Sequence, residues 1–192
     1  MVRASQSEKQ ATHERIVAEA ARRIREHGTR QPGIAEIMGA AGLTHGGFYK
    51  HFASRDELIA EAAEQAMSSS APLFDAAMAE QDPIAAFADW YVSTAHRDDP
   101  ADGCGVAALA GDAARDEAVR GAYRAQVARY LDLLQQMIGG EDPARRQRAS
   151  VTLSTLVGAV VIARALGDTP ESDALLADVR DAVRTRRLMP TD

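Results

Sequence analysis

The sequence holds one cysteine, Cys104, in 192 residues. A lone thiol excludes an intramolecular disulfide and a cysteine zinc cluster. Aromatic residues make up only 5% of the chain. Period-2 alternation of apolar and polar residues is rare, so strands are not expected. Met1–Arg15 is polar and charged, without the apolar core of a secretory signal. The longest apolar run, Val151–Ala163, is broken by Thr and Ser and is short for a bilayer. It reads as a buried helix, and the chain reads as cytoplasmic with no membrane partner. The five histidines, His13, His27, His45, His51 and His96, show neither H-x-x-x-H nor H-E-x-x-H spacing. No Ser-His-Asp set or phosphate loop stands out. No enzymatic activity, cofactor or metal site is therefore expected.

Charge is short in one half and in excess in the other. The whole chain carries −6, but residues 1–55 hold nine Lys/Arg against five Asp/Glu. An acidic body with a basic N-terminal end is expected where that end alone meets phosphate.

Helical periodicity fills the space that strands leave. Ile16, Ala20 and Ile24, with Val17 and Ala21 beside them, line one face of a helix over about 10–27, closed by Gly28 as a C′ residue. A second short helix runs from Gly33 to Met38. Ala41-Gly42-Leu43 is a tight turn in which Gly42 supplies positive φ. Thr44 then caps a third short helix ending near His51. Ser54 and Glu57 form a capping box opening a fourth helix to about Met67. Ser68–Pro72 is a break. Asp82-Pro83 opens another helix, and 98–105 is a loop. Helical spacing then runs through Val119, Tyr130 and Met137 to Gly139-Gly140. Asp142-Pro143 opens the helix containing Val151–Ala163. A final helix carries Leu175, Leu176, Val179 and Val183. The fold class is all-α with about nine helices. An N-terminal helix-turn-helix domain spans 1–53, and a helical effector-binding and dimerisation domain spans 54–192.

The segment from Ile34 to Leu58 carries the functional signal. Two short helices joined by a glycine turn make a helix-turn-helix. Ile34, Ile37, Leu43, Phe48 and Phe52 pack on the first helix, which leaves Thr44, His45, Gly46, Gly47, Tyr49, Lys50 and His51 on or near the outside. The Thr44 end aims N–H groups and a positive dipole at phosphate. His45 is best placed to reach a base edge in the major groove. Gly46 and Gly47 let the backbone come close. Tyr49, Lys50 and Arg55 are suitable phosphate donors.

The run from Ala41 to Leu58, AGLTHGGFYKHFASRDEL, resembles the TetR-family signature A-G-V/L-S/T-x-G-x-F/L-Y-x-H-F-x-S-K-x-x-L. The resemblance in motif covers about 10–65. It implies a homodimeric regulator, by default a repressor, that binds a pseudo-palindromic double-stranded operator and is released by a small-molecule effector. It also implies a ligand cavity in the C-terminal domain and dimerisation through the last two long helices. Three positions depart from the pattern. Gly33 stands where a capping Ser or Thr is usual, Met38 where Ala is usual, and Arg55 where Lys is usual.

Phe87, Trp90, Tyr91, Tyr123 and Gln126 are candidate effector contacts, with His96 either a contact or a solvated helix end. Cys104, between two glycines before a helix start, is expected in an exposed loop. There it is a second kind of candidate, a thiol sensing oxidants or electrophiles. Val157, Gly158, Val160, Val161, Leu176, Val179 and Val183 are the expected dimer contacts. Two other readings stay open: a helical dimer that binds a small molecule without DNA, and a thiol-based repressor.

Overall fold

A computed structural model describes residues 6–139 and 143–187. Among the described residues there are eleven α-helices, one 3-10 helix and no strand. Gly140 and Asp142, which the sequence places at a helix end and a helix start, lie outside them.

Helix α1 (Gln6–His27) buries Ile16, Val17, Ala20, Ala21 and Ile24 on one face. Gly28, at φ +77°, ends it and donates its N–H to the Ile24 carbonyl. Helix α2 (Ile34–Ala40) starts from Gly33, which has no side chain to cap with. Gly42 turns the chain at φ +72°. The next element is a 3-10 helix, His45–Lys50, rather than an α-helix. Thr44 sits at its N-cap but its hydroxyl makes no cap bond, contrary to the expectation from sequence. Two adjacent glycines weaken α-helical propensity there, and short 3-10 segments tolerate that loss.

Helix α3 (Arg55–Ser68) opens on the expected cap: Ser54 Oγ accepts from the Glu57 N–H at 3.1 Å. The Glu57 carboxylate reaches back to the Ala53 N–H. Helix α3 lies along α1, burying Leu58, Ile59, Ala62 and Ala63. Next come α4 (Ala71–Met78), α5 (Pro83–Tyr91), capped by Asp82, and α6 (Thr94–Asp98). Two single turns follow, α7 (Gly105–Ala108) and α8 (Ala110–Ala113). These short helices raise the count above nine.

Helix α9 (Glu117–Ile138), α10 (Arg145–Leu166) and α11 (Pro170–Arg184) complete the body, with α10 packed between its two neighbours. Helix α10 is long and apolar enough to cross a membrane by length and composition. Its Leu153, Leu156, Ala159, Val160 and Ala163 are buried against the rest of the chain, as in the core helix of a bundle.

Candidate nucleic-acid interface

The turn and the 3-10 helix are held from beneath. Ile37, Met38, Phe48 and Phe52 are fully or almost fully buried with Ile16, Ala20 and Ile24. Phe48 and Phe52 stack with ring centroids 5.5 Å apart. A rigid apolar floor of this kind fixes the direction of whatever projects from the other side. What projects is Thr44, His45, Gly46, Tyr49 and Lys50, all exposed. Tyr49 is 70% exposed, a large aromatic ring with its hydroxyl in solvent.

Met38, at the position where the family pattern has a small residue, reaches under the 3-10 helix. Its Cε lies 3.5 Å from where a Gly47 Cβ would be. The larger side chain fills the space that a glycine leaves above it.

Two expected contacts sit differently. Arg55 is directed inward: its Nη2 donates to the Thr29 carbonyl at 2.6 Å and the Pro32 carbonyl at 3.1 Å. It fastens the start of α3 to the turn after α1, so its guanidinium is not a free phosphate donor. His51 is half-buried, with Nδ1 enclosed and unpartnered. Burial, and then the charges of His13, Lys9 and Lys50, push its pKa below the usual histidine range. His13 stacks on Phe52 at 4.5 Å and meets Glu61 at 2.7 Å, joining α1 to α3 beneath the same surface.

The basic excess of the N-terminal end is less available than its count implies. Arg22 pairs with Asp102, Arg23 with Glu36, and Arg25 is buried. The cations left facing outward near the 3-10 helix include Lys50 and Lys9, which line one groove together with Glu8, Thr12 and His51. Lys9 is a further candidate that the sequence reading missed. Its place in the helical register of α1 is the signal that could have found it.

The candidate effector residues gather in the C-terminal core. Phe87 lies 4.3 Å from Phe74 by ring centroids, and Phe74 lies 4.6 Å from Tyr130. Trp90 and Tyr91 close the same cluster. Gln126 is buried, and the Tyr123 hydroxyl donates to the Val106 carbonyl at 3.3 Å. The Tyr91 hydroxyl is buried without a partner.

His96 is not a solvated helix end. It is 4% exposed and stacks on Trp90 at 4.8 Å. Its Nδ1 donates to the Tyr91 carbonyl at 2.6 Å, while Nε2 accepts from the Cys104 N–H at 2.9 Å. Both ring nitrogens are used in the neutral form. Burial lowers its pKa to about 4.

Cys104 is also not exposed. It is fully buried, with Sγ 3.5 Å from the Tyr130 hydroxyl. Its flanking glycines draw the chain inward instead of swinging it out. A Cβ at Gly105 would lie 2.6 Å from the Ala66 carbonyl oxygen, and one at Gly103 would lie 2.6 Å from Arg164 Nη2.

The expected dimer residues divide. Val160, Leu176 and Val183 are buried within the protomer, so they are core and not contact residues. Val161 is 43% exposed, and Val157, Gly158 and Val179 are partly exposed. With Val161, the outward stripe of α10 includes Val151, Ile162 and Leu166, which the sequence reading did not single out.

Residues 16–62 match the family model described as bacterial regulatory proteins, tetR family. An uncharacterized HTH-type transcriptional regulator of Mycobacterium tuberculosis is 29% identical over 183 residues, covering 90% of this chain and 94% of the relative. A TetR transcriptional regulator from Chloroflexus aurantiacus superposes with a TM-score of 0.81 at 26% identity, over 96% of this chain and 98% of that one. A TetR transcriptional regulator from Legionella pneumophila gives a TM-score of 0.75 at 17% identity, over 97% and 99%.

Proposed function

We propose, from the premise that this chain is a TetR-family transcriptional regulator, that it acts in the cytoplasm as a homodimeric, ligand-released repressor of a pseudo-palindromic operator. The observation that carries the reading is the 3-10 helix: Thr44, His45, Gly46, Tyr49 and Lys50 stand exposed on a floor of buried aromatic and aliphatic side chains. A two-fold dimer presents this surface twice, and an operator with two-fold symmetry matches it.

Tyr49, Lys50 and Lys9 hold phosphate, and Thr44 directs the start of the 3-10 helix toward the backbone. His45 reads a base edge. So little base-reading side chain means that specificity leans on backbone approach and DNA shape. The domain of residues 1–53 does this work, and that of residues 54–192 senses the effector. Phe87, Trp90, Tyr91, Tyr123 and Gln126 surround or adjoin the region where an effector lodges, and the unpartnered Tyr91 hydroxyl is its first polar contact. Cys104 supports this cluster from behind. Its burial disfavours the thiol-sensing alternative, because oxidants reach exposed thiolates first.

Gel shift of the chain on the DNA upstream of its own gene tests the reading. Lys50→Ala is expected to weaken binding uniformly across related sequences and to make the salt dependence shallower by about two units of slope, one for each protomer. Affinity indifferent to salt and to Lys50→Ala would sink the DNA-binding role.

A further inference from the structure

A cavity of about 350 Å³ opens where the end of α1 meets α6, α7 and the C-terminal part of α10. Its lining includes Arg25, Arg164, Ala107, Ala108 and Val161. It is separate from the aromatic cluster around Phe87.

The two arginines are poorly neutralised. Arg164 donates Nη2 to the His96 carbonyl at 2.8 Å and Nε to the Arg97 carbonyl at 3.3 Å. Both partners are backbone oxygens, and among the described residues no carboxylate pairs with it. Arg25 is 6% exposed and donates Nε to the Ala101 carbonyl at 2.6 Å. Its nearest carboxylate, Asp102, stands 3.8 Å away and is shared with Arg22. Its Nη1 is buried without a partner. Burial lowers the pKa of both guanidiniums. Asp102, shared with Arg22, and the more distant charge of Asp99 compensate these cations only in part, and an added anion relieves the remainder.

The acids at the cavity are already engaged. Asp98 holds Arg97 through both oxygens, at 2.6 and 3.1 Å, and Glu26, half-exposed at the rim, sits 3.3 Å from His27 and is hydrated by solvent. The third arginine of the lining, Arg97, also meets Asp168 and Asp173 and has no unmet charge. Beyond the charged side chains the wall is Pro100, Ala107, Ala108, Val161 and Gly167. This apolar part of the wall offers contact to a hydrocarbon tail, which inorganic phosphate lacks.

We infer that this cavity binds a small aliphatic carboxylate, its head on Arg164 and Arg25 and its tail against Ala107, Ala108 and Val161. The occupant bridges the helix that begins the DNA-binding end and the helix that bears the outward apolar stripe.

Calorimetric titration of the full chain, without DNA, tests the site independently of the proposed regulatory role. The probes are hexanoate, hexanamide as the uncharged counterpart, and inorganic phosphate, at matched ionic strength. Saturable hexanoate binding is expected, with hexanamide and phosphate at least tenfold weaker. Arg164→Gln is expected to weaken hexanoate at least tenfold. Ala108→Leu, which fills the apolar end and leaves both arginines in place, is expected to do the same with an unchanged melting temperature. Absence of hexanoate binding at millimolar concentration, equal binding of hexanamide or phosphate, or undiminished hexanoate affinity in Ala108→Leu would each overturn the site.

Discussion

Gly46 is not demanded by packing inside the protein, and Gly47 only borders Met38. Neither has positive φ. A Cβ at Gly46 would meet nothing within 4 Å, and one at Gly47 would make an ordinary contact with Met38 at 3.5 Å. Glycine in a helical segment is destabilising by roughly 0.5–1 kcal/mol relative to alanine. Folding alone therefore favours alanine at residue 46. In the proposed complex a DNA backbone or base edge lying against residue 46 would leave no space for a methyl group. Gly46→Ala is expected to keep or slightly raise the melting temperature while lowering operator affinity at least tenfold in a gel shift. Unchanged affinity would show that nothing approaches residue 46 closely. Arg55 makes the opposite point. It looks like a phosphate donor by residue type, yet its guanidinium serves the backbone of the α1–α2 turn.

At the scale of an element, the segment joining α5 to α7 depends on one neutral histidine. His96 bridges the Tyr91 carbonyl and the Cys104 N–H, so it clamps both ends of the 91–104 segment. Its folded pKa of about 4 lies below the ordinary 6.5 because burial opposes the charged form. Below pH 6.5 the unfolded chain takes up a proton at this site that the folded chain refuses until about pH 4. The stabilisation is thus complete above pH 6.5 and is lost as pH falls to about 4, by roughly 3 kcal/mol in total. Thermal melts across pH 4–7 should fall more steeply for wild type than for His96→Gln, and parallel profiles would assign the acid sensitivity elsewhere. The same segment shows where sequence reading stops. The helix-turn-helix is legible because its signals are local: a 3.6-residue apolar period in α1, a positive-φ glycine at 42, and a serine cap at 54. The 99–105 loop carries glycine and aspartate, which read as exposed. Its burial is decided by Ala66, Tyr130 and Arg164, which lie 26 to 61 positions along the chain from the residues they meet.

Helix α10 raises the question of what the whole molecule is. Its residues are apolar nearly all round, so periodicity cannot tell the face that enters the protomer from the face that meets a partner. The structure separates them: Leu153, Leu156, Val160 and Ala163 point inward, while Val151, Val161, Ile162 and Leu166 lie 40–52% exposed, three of them clustered in the last two turns and Val151 nearly three turns earlier. Gly158 lies between them, and a Cβ there would meet open space. Exposed apolar side chains gathered on one side of a long helix are unfavourable in water and favour an association surface there. In the dimer proposed above, a second copy of the same face, crossing it in a four-helix arrangement with α11, would cover it with the self-complementary symmetry of a two-fold axis. Replacing Ile162, the most exposed of these residues, by Glu puts a charge among them without touching the protomer core. Ile162→Glu is therefore expected to sediment as a folded monomer at micromolar concentration, with helical content retained and operator binding lost. Val160→Glu, by contrast, buries a charge inside the protomer and is expected to unfold it. If Ile162→Glu remained dimeric, association would run through another surface and α10 would need a different partner.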